Sequence, residues 1–363
     1  MKKCLAILMA LAMLLGMSGI GVLAEDPNEE RTLIVSYKSD ITNLDPMNAV
    51  DGVTLFFLRN IFDTLVRVDD NGVAQPWLAT SWDISEDGLV YTYHLRDDVY
   101  FTNGEKFTAD DCVFTFDRAP DTYYCSTFMQ YVESYRAIDD LTFEVTLKEP
   151  YGPWLNTSSC FSIMNREAVE AAGDQVNQQP IGTGPYMVTE WVTGEKCVTV
   201  RNDNFWGELP KIKTIETRVI TDAATRATAL QSGDIHVTSL LNEPDMPYFR
   251  DNPDFNCLEG EYAFMWHLVM NEDNEYLANP LVRKAIMYAL DREAINQVAT
   301  DGKGGLGTLY GSKGSAGYRP EFEQYCDENY DPEKARELLA EAGYPDGFST
   351  TLWCSDTQVM RDS

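Results

Sequence analysis

A chain of 363 residues exceeds what one hydrophobic core usually supports, so two or three domains are expected. A composition of 44% hydrophobic, 12% aromatic and 24% charged residues is that of a globular protein and excludes a disordered one. With 58 acidic residues against 28 Lys and Arg the net charge is −30, which disfavours nucleic acid and anionic membrane surfaces as partners.

Residues 1–24 read as an export signal. Lys2 and Lys3 precede an apolar run from Leu5 to Leu15, and Val22-Leu23-Ala24 offers a cleavage site. The run is too short to span a bilayer, and no later stretch approaches that length, so no membrane insertion is expected after cleavage. Cys4 precedes the run and is not placed as a lipoprotein cysteine. The expected location is periplasmic, extracellular or cell-envelope associated. Cleavage leaves Cys112, Cys125, Cys160, Cys197, Cys257, Cys326 and Cys354, an odd set with no C-x-x-C spacing. Cys112 and Cys197 sit in apolar patterns and read as small buried hydrophobes, whereas pairing of Cys125 with Cys160 stays open.

Along the chain, Thr32 to Tyr37 reads as a strand, and Leu55, Leu58, Ile61, Phe62 and Leu65 give a helical period over 54–65. Leu89, Tyr91, Tyr93 and Leu95 alternate as a strand, as do Leu141, Phe143, Val145 and Leu147. Asn103-Gly104 marks a tight turn, and Thr108 with Asp111 opens a helix running to Arg118. A short helix is expected at 167–172. Strands follow at 197–200 and 214–220, then a helix between Asp222 and Gly233 and a strand at 235–240. Asn279-Pro280 and Asp331-Pro332 each start a helix, the second closing at Gly343, and 348–353 reads as a last strand.

Little in the sequence resembles catalytic machinery. Gly302-Lys303-Gly304-Gly305-Leu306-Gly307 fits G-x-G-x-x-G, but a helix rather than a strand precedes it, so it reads as a connection. His94, His236 and His267 are far apart, and the acid pairs Asp69-Asp70, Asp97-Asp98 and Asp139-Asp140 fall at turns. No catalytic residue, metal ligand or cofactor is assigned. The cluster Tyr123, Tyr124, Phe128, Tyr131 and Tyr135 reads partly as core and partly as a ring-lined ligand surface.

Several segments carry a resemblance. They are Asn43-Leu44-Asp45-Pro46, Gln75-Pro76-Trp77-Leu78-Ala79-Thr80-Ser81-Trp82, Phe101-Thr102-Asn103-Gly104-Glu105, Pro180-Ile181-Gly182-Thr183-Gly184-Pro185-Tyr186 and Ala289-Leu290-Asp291-Arg292. In this order they resemble the peptide/nickel (family 5) solute-binding proteins of ABC importers. The resemblance implies an α/β, two-lobe periplasmic-binding-protein-like fold of type II with an extra β-rich subdomain. It implies lobe I at 25–67 and 181–262, the inserted subdomain at 68–180 and an incomplete lobe II at 263–363. Family members return to the first lobe at a C-terminus that this chain does not reach, and the acid holding a peptide's amino terminus would lie there.

The same resemblance implies capture of oligopeptides or dipeptides by a monomer, delivery to permease subunits, and no enzymatic activity. A secreted hydrolase is the alternative, as is the same fold serving nickel chelates, opines or sugar oligomers. The implied ligand contacts are Met47, Asp51, Gly52, Val53, Tyr124, Phe128, Phe161, Ser162, Asn242, Trp266 and His267. Nickel-binding relatives carry an arginine near the position of Phe161, where this chain has Cys160 and Ser162; that departure argues against a nickel chelate.

Overall fold

In a computed structural model the chain forms two units, Met1–Arg67 with Pro76–Leu240 and Val68–Gln75 with Leu241–Ser363. The structure describes residues 32–239, 241, 245–258, 266–300, 302–307, 318–325 and 329–354. The export signal, Asn242 and Cys326 lie outside the described residues. The strands, in chain order, are β1 (Thr32–Tyr37), β2 (Val66–Val68), β3 (Ala74–Pro76), β4 (Ala79–Ile84), β5 (Val90–Leu95), β6 (Val132–Asp139), β7 (Thr142–Leu147), β8 (Tyr186–Val192), β9 (Lys196–Arg201), β10 (Thr214–Val219) and β11 (Val237–Thr238).

Two larger sheets build the first unit. One has the order β11-β1-β10-β9-β8, with β1 parallel to both neighbours and the β10-β9-β8 side antiparallel. Its partner layer is α1 (Gly52–Leu58) and the chain around it. Ile41, Leu44, Phe57, Leu58, Ile61 and Phe62 are buried with Tyr186 and Cys197, and Tyr37 and Ile215 pack against them. The other sheet, β4-β5-β7-β6, is wholly antiparallel. Period-2 alternation turns Tyr91, Tyr93 and Leu95 of β5, with Phe143, Val145 and Leu147 of β7, into one buried face. The helix α2 (Ala109–Arg118) contributes Phe116 to that core, its ring 5.1 Å from Phe143 and 4.6 Å from Phe161. Thr108 and Asp111 form the expected capping box.

Three elements differ from the sequence reading. α1 ends at Leu58 rather than Leu65, because the next carbonyls bond elsewhere. Asn60 O accepts the Tyr186 N–H and Ile61 O the Gly184 N–H, each at 3.0 Å, so Ile61, Phe62 and Leu65 are buried from a non-helical segment. The strand expected at 235–240 is only β11, with Leu240 outside the described residues. No strand forms at 348–353; Phe348 instead stacks on Tyr276 at 4.7 Å.

Three longer helices shape the second unit. Asn279 and Asp331 cap helices at Pro280–Ala289 and Pro332–Glu341 as expected, accepting the Leu281 and Lys334 N–H groups. Val282, Ala285, Ala335 and Leu338 are their buried positions, and Asp331 N–H donates to Tyr288 O at 2.8 Å. Arg292–Thr300 is helical, so the glycines from Gly302 follow a helix, and the dinucleotide pattern fails as expected.

Candidate ligand-binding face

The turn at Asn43-Leu44-Asp45-Pro46 is held from within. Asp45, 1% exposed, accepts the Met47 N–H and Asn48 Nδ2 at 3.1 and 2.9 Å and Arg118 Nη2 at 2.9 Å. Arg118 ends α2, and its Nη1 lies 2.6 Å from Met164 Sδ, so the ion pair ties this turn to the second sheet's helix. Asp51 then caps α1, accepting the Thr54 N–H and Thr42 Oγ1, both at 2.9 Å. Partial burial pushes its carboxyl up, but these hydrogen bonds together hold it below the usual carboxylate range. Gly52 is exposed and Val53 partly so, flanked by Val50 and Phe56, which are 57% and 58% exposed. Met47 is fully buried instead of facing solvent.

The aromatic residues form a graded series. Tyr124 and Phe128, around the short helix α3 (Ser126–Met129), are half-buried and meet edge to face at 5.8 Å. Phe128 lies 6.3 Å from Phe161, which is fully buried and stacked on Phe116. The rings thus run from solvent into the core, with Phe161 as the wall behind Phe128 rather than a surface contact. Tyr124 OH donates to Cys160 Sγ at 3.6 Å, and Cys125 Sγ donates to Cys160 O at 3.7 Å. Burial raises all three groups, Cys125 to about 12, and the Arg59 guanidinium opposes the shift at Tyr124 and Cys160. Of the rest of the cluster, Tyr123 is 78% exposed, Tyr131 stacks on Tyr151 at 4.0 Å, and Tyr135 OH donates to Asp117.

Asp63 positions this face and was not singled out from sequence. Its carboxylate is buried, and Oδ1 accepts Trp77 Nε1 at 2.6 Å and Arg67 Nη2 at 3.0 Å. Oδ2 accepts Thr183 Oγ1 at 2.9 Å and Trp206 Nε1 at 3.3 Å. Its backbone oxygen accepts the Ile163 N–H at 2.9 Å, and Thr64 forms an isolated antiparallel bridge with Ser162, so the hub also holds the segment carrying Phe161 and Ser162. The only sequence signal was that Trp77 and Thr183 each lie in a resembling segment.

Tyr124, Phe128, Phe161 and Ser162 therefore come together in the first unit. Trp266 and His267 belong to the second unit, both exposed, and Asn242 lies outside the described residues. His94 Nε2 pairs with Asp83 Oδ2 at 2.8 Å on an exposed face of β4 and β5, and His236 Nδ1 accepts the Ile34 N–H. Neither arrangement presents a nucleophile to a base. A surface of rings with a cationic neighbour suits an organic ligand held by contact.

Over residues 73–363 the chain matches the family described as bacterial extracellular solute-binding proteins, family 5 Middle. It is 30% identical over 334 residues to the glutathione-binding protein GsiB of Salmonella typhi, covering 90% of this chain and 64% of the relative. The chain thus spans less than two thirds of the length of the curated relatives it matches. Among solved structures it is similar to the periplasmic binding protein DppA from Helicobacter pylori in complex with peptide STSA. The TM-score is 0.76 and the identity 29%, covering 87% of this chain and 67% of that one. It is also similar to NikZ from Campylobacter jejuni in complex with Ni(L-His), with a TM-score of 0.71 and 28% identity, covering 87% and 64%.

Proposed function

The chain belongs to the bacterial extracellular solute-binding proteins of family 5, and from that premise we propose that it is the substrate-binding component of an ABC importer. In this reading it captures oligopeptides or dipeptides outside the membrane and delivers them unchanged to the permease. Residues 1–24 would direct its export, and it would work as a monomer. The observation that carries the peptide class is the likeness, over most of the chain, to a relative solved with a bound peptide. The graded ring series supports it. Tyr124 and Phe128 offer flat apolar area that loses little rotamer freedom on contact, and Phe161 prevents their collapse inward. Asp51, Gly52, Val53, Ser162, Asn242, Trp266 and His267 complete the proposed contact set, whereas Met47 is buried.

Titration of the protein with short peptides, followed by intrinsic fluorescence, tests this reading. Phe128→Ala and Trp266→Ala are each expected to weaken binding by about 1–3 kcal/mol, a loss of roughly 5- to 150-fold in affinity. Both variants should keep a cooperative thermal transition. Unchanged affinity in both variants would remove these rings from the ligand site, and loss of the transition would assign that ring to the core.

A further inference from the structure

Cys125 and Cys160 lie 35 residues apart in sequence but side by side in the first unit. Cys125 is fully buried, and its thiol points at the backbone of Cys160. Cys160 is half-buried, and its sulfur accepts the Tyr124 hydroxyl. We propose that these two residues are a redox-active dithiol that closes to an intramolecular disulfide. The bond would fasten the turn carrying Tyr124 and Phe128 to the segment carrying Phe161 and Ser162.

The chemistry is thiol–disulfide exchange, and the oxidant it requires is a small-molecule or protein disulfide, R–S–S–R. Cys160, as thiolate, attacks one sulfur of the oxidant and expels R–S⁻, giving a mixed disulfide. The expelled R–S⁻ takes up the Cys125 proton, and the Cys125 thiolate attacks Cys160 Sγ and expels the second R–S⁻. Two cysteine thiols and R–S–S–R become one protein disulfide and two R–SH; the cysteines lose two electrons and the oxidant gains them. Closure has to bring the two sulfurs from the present contact, Cys125 Sγ on Cys160 O at 3.7 Å, to disulfide geometry. Burial raises both thiols above the usual cysteine range, so little thiolate is present and the exchange is slow. The closed bond would remove freedom from the outer rings of the series while leaving the buried ones untouched.

Hydroxyethyl disulfide applied to the folded, fully reduced protein tests this, read by peptide mapping with mass spectrometry. Trypsin yields peptides 119–136 and 149–166, each with one of the two cysteines. The expected product is these two peptides joined, lighter by two hydrogens, with the remaining thiols still alkylatable. Cys125→Ser should instead accumulate a stable adduct on Cys160. The oxidised wild-type protein should melt roughly 5–10 °C higher than the reduced one, reversibly with dithiothreitol. Accumulation of the Cys160 adduct in the wild-type protein without the joined peptides would overturn the proposal. So would joining of either cysteine to any other.

Discussion

Replacing Asp63 with alanine is expected to destabilise the first unit by about 3–5 kcal/mol, a large share of the whole stability of a domain. The carboxylate accepts from four donors: two indole N–H groups, a guanidinium and a hydroxyl. Removing it leaves Trp77, Trp206 and Thr183 with donors turned inward and Arg67 beside a void, stacked 3.6 Å over the Trp77 ring. The desolvation of those groups is then uncompensated. Asp63→Asn should cost less, about 1–3 kcal/mol, because one oxygen still accepts while the new NH₂ faces donors. Urea unfolding monitored at tryptophan should show a lower midpoint at constant slope, ordered wild type, Asn, Ala. An alanine variant within about 0.5 kcal/mol of wild type, the range of ordinary surface substitutions, would mean that the hub is decorative.

Gly182→Ala is expected to be at least as damaging, for a steric reason. A Cβ at this position would lie 2.0 Å from Ile61 O and 2.8 Å from Ile61 C, both backbone atoms that cannot swing aside. Gly184 approaches the same turn, with a Cβ 2.7 Å from Asn60 O. The glycines let 182–186 lie against the turn after α1, where the Gly184 and Tyr186 N–H groups take up its free carbonyls. Separating them breaks these bonds and shifts Thr183 away from Asp63, so about 3 kcal/mol or more should be lost. Gly152→Ala is the control, since nothing lies within 4 Å of its Cβ position, and it should stay within about 0.5 kcal/mol of wild type. Comparable melting midpoints for the two variants would show that the turn gives way and that the contact is not tight.

These two residues also show what was legible in the sequence. Caps at Asp222, Asn279 and Asp331 and the period-2 strands β5 and β7 are local signals, set by neighbours within a few residues, and the structure has them. The end of α1 was not legible, because Ile61, Phe62 and Leu65 keep a helical spacing although Ile61 and Phe62 lie against Gly182 and Gly184, some 120 residues away. Asp63 reads as an unremarked acid after an apolar run; only the fold brings Trp77, Thr183 and Trp206 to it. Tyr124, Phe128 and Phe161 were all expected as ligand contacts; the structure sets the three rings in series but at different depths. Whether a ring faces solvent or core depends on the helix α2 behind it, and Phe116 decides that for Phe161.

In the proposed function the protein holds peptide without altering it. The direct measurement is to incubate the protein with an equimolar mixture of di-, tri- and tetrapeptides, remove unbound material and identify what is released on denaturation by mass spectrometry. Intact peptide, close to one per chain and undiminished after prolonged incubation, is the result this account predicts. Release of cleaved products, or of nothing from the peptide mixture while nickel–histidine is retained in a parallel sample, would contradict it.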